Sequence, residues 1–326
     1  VKRFSNRRKT IAVVLLALVA ASQIAAATRL VVPGRRGESR ILADCPISWR
    51  SWAATVPVTV FGKTHAFLID TGCTVSILDS EFEEQLGMPF DRMARFETPF
   101  DSGSARREQT YRTPDLAIGD FRLPPTFMIP TFDLSILRDR EGVICDGILG
   151  LDVLRTNVVQ IDVDQSRLRV LDSVPDDSGE SLPLRHDAYS AFIDVDIRGL
   201  GLRSFLVDTG HVRNTDISLD EQSFDALSAS QKICDPERRT STTMAGQVEH
   251  ACGVIDRIQI GSFVHTHVTV GRTSKSIIGA DCLFKNYNLT FDFPGGRLFL
   301  KPRAFAAAHA VASRGQIFPR ESAWWS

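Results

Sequence analysis

Residues 67–72 read FLIDTG, and residues 205–210 read FLVDTG. Each is a continuous apolar run ending in Asp-Thr-Gly. Each therefore reads as a strand buried on both faces that delivers an Asp to a tight turn. Further landmarks repeat outward from both copies in one order. LAIGDF (116–121) is answered by RIQIGSF (257–263), and GILGLDVL (147–154) by SIIGADCL (276–283). QIDVDQSRLRVL (160–171) is answered by TFDFPGGRLFLK (290–301), with Arg167-Leu168 matching Arg297-Leu298. Ser80-x-x-Glu83 and Ser218-x-x-Glu221 each begin 10 residues after their Asp and read as capping boxes that start a short helix. Shared landmarks in a fixed order imply a tandem duplication, with units at 51–171 and 184–302. Between them, 172–183 is rich in Asp, Ser, Pro and Gly and reads as a linker. Residues 28–50 form a lead-in segment and 303–326 a tail.

The remaining pattern is short and mostly β. TVPVTVFG (55–62) and AFIDVDIRG (191–199) alternate apolar and polar residues, as half-buried strands do. Little beyond one helix after each DTG reads as helical. The expected fold class is all-β: two related β-barrel lobes with one short helix each and a cleft between them. The 326 residues carry 38 Lys+Arg and 39 Asp+Glu, a net charge of −1, with 43% hydrophobic and 24% charged residues. That composition excludes a disordered chain and a multi-span membrane protein. The near-neutral balance argues against nucleic acid as a partner.

Residues 1–27 read differently. Lys2, Arg3, Arg7, Arg8 and Lys9 precede the apolar run IAVVLLALVAA (11–21) and the small residues Ala25-Ala26-Ala27. This is the order of a secretory signal, so the lobes are expected outside the cytoplasm, periplasmic or secreted. The alternative is an uncleaved anchor, the one route to a membrane, although the run is shorter than the ~20 residues of a span. Export permits disulfides among Cys45, Cys73, Cys145, Cys234, Cys252 and Cys282. Cys234 and Cys252, which flank a hairpin, are the first pair to test; buried unpaired thiols fit equally.

An apolar run ending in Asp-Thr-Gly, followed by an apolar-apolar-Gly strand, resembles the aspartic protease superfamily. FLIDTGCTVSIL with GILGLDVL is most similar to its retropepsin-like branch. The resemblance covers both units and implies two retropepsin-sized lobes in one chain, the two-lobed layout of pepsin-like enzymes. It implies an endopeptidase with Asp70 and Asp208 as catalytic residues, a peptide or protein substrate, no cofactor and a monomeric chain. It also implies that the Thr71 and Thr209 hydroxyls reach across to the opposite loop's backbone. The chemistry asks for this pair. One carboxylate deprotonates water while one carboxylic acid polarises the scissile carbonyl, and two carboxyls in near contact share one proton. Gly72 and Gly210 permit the tight turn and close approach. Ile148, Leu149 and Gly150, with Ile277, Ile278 and Gly279, are expected to pack against the Asp loops and exclude water.

A hairpin downstream of each Asp loop is expected to cover the substrate. The first (95–112) turns near Gly103 and the second (238–250) near Gly246, with Phe100, Tyr111 and Met244 as pocket contacts. Cys73 and His211 stand where the family commonly has Ser, Thr or Ala, and are candidate modulators of the dyad. His211 either acts on Asp208 or points into solvent. His265-x-His267 is half a metal site without a completing partner, so no metal is expected. The competing reading is a catalytically inactive peptide-binding or scaffold protein that keeps the fold. Retention of Asp70, Thr71, Asp208 and Thr209 favours the enzyme.

Overall fold

The computed structural model describes residues 39–88, 96–99, 105–187, 189–212, 214–243 and 246–304. The expected signal, the first part of the lead-in segment and the tail beyond residue 304 lie outside them.

The two apolar runs fold as enclosed strands. Phe67, Leu68 and Ile69 end the strand Lys63–Ile69; Phe205, Leu206 and Val207 lie in Gly201–Asp208; all six are buried. Each strand runs parallel to a short strand from the apolar-apolar-Gly motif, Gly147–Leu149 or Ile277–Gly279. That short strand pairs antiparallel with the strand leaving the Asp loop, Ile77–Asp79 or Ile217–Asp220. The ladders fix which positions correspond. Ile148 faces Leu68 and Ile77, while Ile277 faces Leu206 and Ser218. Ile77 therefore corresponds to Ser218. Asp70 to Ile77 is seven residues and Asp208 to Ser218 is ten, so the second Asp loop is longer by three.

That length difference corrects the capping assignment. The helical turn Ser80–Phe82 and the helix Glu221–Ala229 form after the Asp loops, but Ser80 and Ser218 do not cap them. Asp79 accepts from the Glu81 N–H and Asp220 from the Ser223 N–H, and the two aspartates correspond in the ladders. Equal spacing had matched Ser80 to Ser218 across loops of unequal length; Ser218 lies inside a strand. Helix is also more frequent than one short piece per lobe. Leu151–Leu154 and Ala280–Asn286 follow the two glycine motifs, and Ser135–Glu141 adds another to the first half.

The first half builds a nine-stranded sheet and the second an eight-stranded one. In the second, Ala191–Ile197 pairs with both Gly201–Asp208 and Gly246–Ile260, which closes the sheet into a barrel. A six-stranded antiparallel sheet joins the halves. Its order is Ile41–Pro46, Arg167–Leu171, Val158–Asp162, Tyr287–Asp292, Arg297–Pro302, Glu180–Pro183. The halves meet where Val159 faces Phe291 and Ile161 faces Leu289. The lead-in segment and the expected linker therefore supply the two edge strands, at corresponding places. Alternation of Leu182 and Leu184, both buried, was the missed sign of structure at the linker's end. One apolar core runs through both halves, from Phe67, Leu149 and Ile161 to Phe205, Ile278 and Leu289.

The cysteine pair expected first is out of register. Cys234 faces Val254 and Cys252 faces Glu237 across a bulged hairpin. Among the described residues, no helix is long and apolar enough to cross a membrane.

Candidate active site

Each buried strand ends at its Asp, and the two Asp-Thr-Gly turns interlock. The Thr71 hydroxyl donates to the Val207 carbonyl at 2.8 Å and accepts from the Thr209 N–H at 3.1 Å. The Thr209 hydroxyl donates to the Ile69 carbonyl at 2.8 Å and accepts from the Thr71 N–H at 3.0 Å. Both threonines are buried, so four hydrogen bonds away from water tie one half to the other. Above them the glycines bring each turn against the opposite carboxyl. A Cβ on Gly72 would lie 2.2 Å from Asp208 Cγ, and one on Gly210 would lie 2.4 Å from Asp70 Cγ. Any side chain at either position would collide with a carboxyl.

The Asp70 and Asp208 side chains hydrogen-bond to one another. Asp70 Oδ1 accepts from the N–H groups of Gly72 (2.8 Å) and Cys73 (2.9 Å), and Asp208 Oδ1 from that of Gly210 (3.0 Å). Burial pushes the Asp70 carboxyl above the ordinary carboxylate range despite these donors. Burial, followed by the charge of Asp70, pushes Asp208 well above it. The pair therefore retains a proton where isolated carboxyls have lost theirs.

Residues 56–153 match the aspartyl protease family. The match supports a likeness of that stretch to the aspartic protease, retropepsin-like superfamily. The match supports aspartic peptidase activity in general terms. No curated protein matches the chain.

The apolar-apolar-Gly strands lie beneath both Asp turns. In the first half the Asp70 N–H donates to the Leu149 carbonyl at 3.1 Å, and the Leu151 N–H to the Cys73 carbonyl at 2.8 Å. The Ala280 N–H donates to the His211 carbonyl at 3.0 Å in the second half. Ile148, Leu149, Ile277 and Ile278 are buried. Gly150 and Gly279 have no room for a Cβ, which would come within 2.7 Å of the Val75 carbonyl carbon and 2.5 Å of the His211 carbonyl oxygen.

The two residues after DTG behave differently. The Cys73 thiol donates to the Val75 carbonyl at 3.0 Å, and burial followed by the charges of Asp70 and Asp152 pushes it well above its usual range, so it stays protonated. His211 does not point freely into solvent: its Nε2 shares a 2.9 Å hydrogen bond with the buried Ser218 hydroxyl.

Two hairpins form where covering hairpins are expected. Phe96–Pro99 pairs with Ala105–Glu108, and Cys234–Thr243 with Gly246–Ile260. Gly246 pairs with Thr243 at the turn with φ +119°, a conformation suited to glycine. Phe100, Gly103 and Met244 lie outside the described residues. Tyr111 is not a pocket contact; it is buried in the apolar core of the first half. The His265 Nε2 and the Tyr287 hydroxyl share a 2.5 Å hydrogen bond.

Sequence reasoning missed Ser76 and Asp152. The Ser76 hydroxyl donates to Asp152 Oδ1 at 2.7 Å and accepts from the Gly150 N–H at 3.1 Å, bracing the Asp70 loop against the glycine strand. A signal was present: an Asp stands two residues past the motif glycine in both copies, as Asp152 and Asp281.

Proposed function

We propose that the chain is an exported aspartic endopeptidase that hydrolyses peptide bonds with Asp70 and Asp208 as one dyad. The observation that carries this reading is the pair of carboxyls in contact, held by a reciprocal threonine exchange between the two halves. Asp70 has the richer supply of N–H donors, Gly72 and Cys73 against Gly210 for Asp208. Donors favour the anion, so Asp70 is the base and Asp208 carries the shared proton.

In this mechanism Asp70 takes a proton from water as the water oxygen attacks the scissile carbonyl carbon. Asp208 gives its proton to the carbonyl oxygen, and a neutral gem-diol forms. Collapse of the gem-diol breaks the C–N bond. The proton on Asp70 passes to the leaving amine, and a diol proton returns to Asp208. The substrate is a peptide or protein, and the two lobes act as a monomer. Export rests on the cationic, apolar and small-residue order of 1–27.

Cleavage of a mixed peptide library tests the reading. Asp70→Asn and Asp208→Asn are each expected to abolish hydrolysis, and EDTA to leave it intact. Near-full activity in either Asn variant would overturn the dyad. Wild-type protein that binds peptides without cutting them would favour the inactive alternative.

A further inference from the structure

The two halves treat the residue after DTG in chemically different ways. In the first half Cys73 packs against an apolar cluster that contains Ile77. In the second, the corresponding positions are His211 and Ser218, joined by a hydrogen bond. Ser218 is fully buried, where an unpaired hydroxyl is costly. The pair also bridges two elements: His211 belongs to the Asp loop, and Ser218 to the strand that leaves it.

The second loop is held at its far end by Asp216, which exchanges hydrogen bonds with Thr269, and the His211–Ser218 pair ties down its near end. The loop is three residues longer than the first. The first loop is anchored through Ser76, which holds Asp152 and the Gly150 N–H. By the ladder register, the position corresponding to Ser76 is Ile217, which is apolar and cannot make those bonds. The His211 ring instead spans the gap. Its Cδ2 lies where a Cβ on Gly279 would be 2.9 Å away, so imidazole and glycine strand are in close contact. The backbone of the same residue closes the Asp208 turn, because the His211 N–H donates to the Asp208 backbone carbonyl at 3.3 Å.

We infer that Ser218 is a positioning residue for the Asp208 half of the dyad, acting through His211. The Ser218 hydroxyl fixes the imidazole, the imidazole fixes the loop, and the loop holds the Asp208 turn through the His211 N–H bond to the Asp208 carbonyl. The inference rests on the dyad reading above and assigns the second half a brace that the first half does not use.

Thr and Val at 218 test it, since they differ only by hydroxyl against methyl. Ile77 shows that the register accepts a β-branched residue. Ser218→Thr should keep kcat within about twofold of wild type, because the hydroxyl remains. Ser218→Val should lose about tenfold in kcat, the scale of one hydrogen bond, with KM little changed. Deuterium exchange at the His211 amide supplies a readout independent of activity, and should be about tenfold faster in Ser218→Val than in Ser218→Thr. Equal kcat and equal His211 exchange in the two variants would overturn the inference. Asp208→Asn, assayed alongside, separates the two claims. If it stays active, the dyad reading falls and the exchange data alone judge the brace. If it is dead while Val matches Thr, only the brace falls.

Discussion

At the residue scale the site depends on groups that burial makes interdependent. Thr71 and Thr209 each donate one hydroxyl bond and accept one N–H bond across the seam. Thr71→Val and Thr209→Val should therefore cost similar stability, about 1–3 kcal/mol each, because each leaves a buried N–H and carbonyl unmet. Thermal unfolding of the two variants checks this symmetry. The dyad carries a stability signature as well. Burial raises the Asp208 carboxyl above its unfolded value of about 3.9. Below that value both folded and unfolded chains are protonated, and the buried pair does no harm. As pH rises toward the folded value, only the unfolded chain loses the proton, so native stability falls. Asp208→Asn removes this liability. Its Tm should exceed that of wild type by more at pH 7 than at pH 3; a constant difference across that range would show that burial does not shift the pair.

At the element scale the lesson is about caps and loop length. Asp79 accepts from the Glu81 N–H at 2.9 Å, from the Leu134 N–H at 3.2 Å and from Arg138 at 3.3 Å. Asp79→Ala should cost more than the ~1 kcal/mol of an ordinary cap, while Ser80→Ala should leave Tm nearly unchanged. Comparable losses in both would restore the serine as a capping residue. The sequence announces the buried strands, the Asp turns and the glycine strands because each is a local pattern: an apolar run, a turn-forming glycine, a repeated order. It does not announce Ser76, Asp152 or Ser218. Their roles come from contacts between segments distant in the chain, and an inserted three-residue loop shifts one copy against the other. Edge strands were hidden for a similar reason. Ile41–Pro46 and Glu180–Pro183 are short, and their partners lie far away in sequence.

At the scale of the whole molecule the halves are inseparable. They share the six-stranded sheet, one apolar core and the threonine exchange. Either half alone would expose the buried faces around Ile161 or Leu289. Residues 39–171 and 180–304 expressed separately should be insoluble or unfolded, and soluble, cooperatively folded fragments would contradict this. Export gives the other test at this scale. N-terminal sequencing of protein from a native-like host should find a mature chain beginning near Thr28, outside the cytoplasm. A cytoplasmic chain that retains Val1 would refute both cleavage and anchoring.

The central pairing of Val158–Asp162 with Tyr287–Asp292 has a kinetic consequence. These strands are separated by most of a lobe, so their pairing closes a long loop and ranks among the slow, late steps of folding. Tyr287–Asp292 follows both Asp turns in the chain, so it can dock only after both have been made. The carboxyls of Asp70 and Asp208 belong to opposite sides of that closure. A chain made only as far as the linker holds Asp70 and no partner for it, and one made past Asp208 still lacks the strand that joins the halves. On the proposed dyad, the capacity to cut peptides would thus arrive only once the two halves have joined, and a chain with unjoined halves could not digest itself or its neighbours.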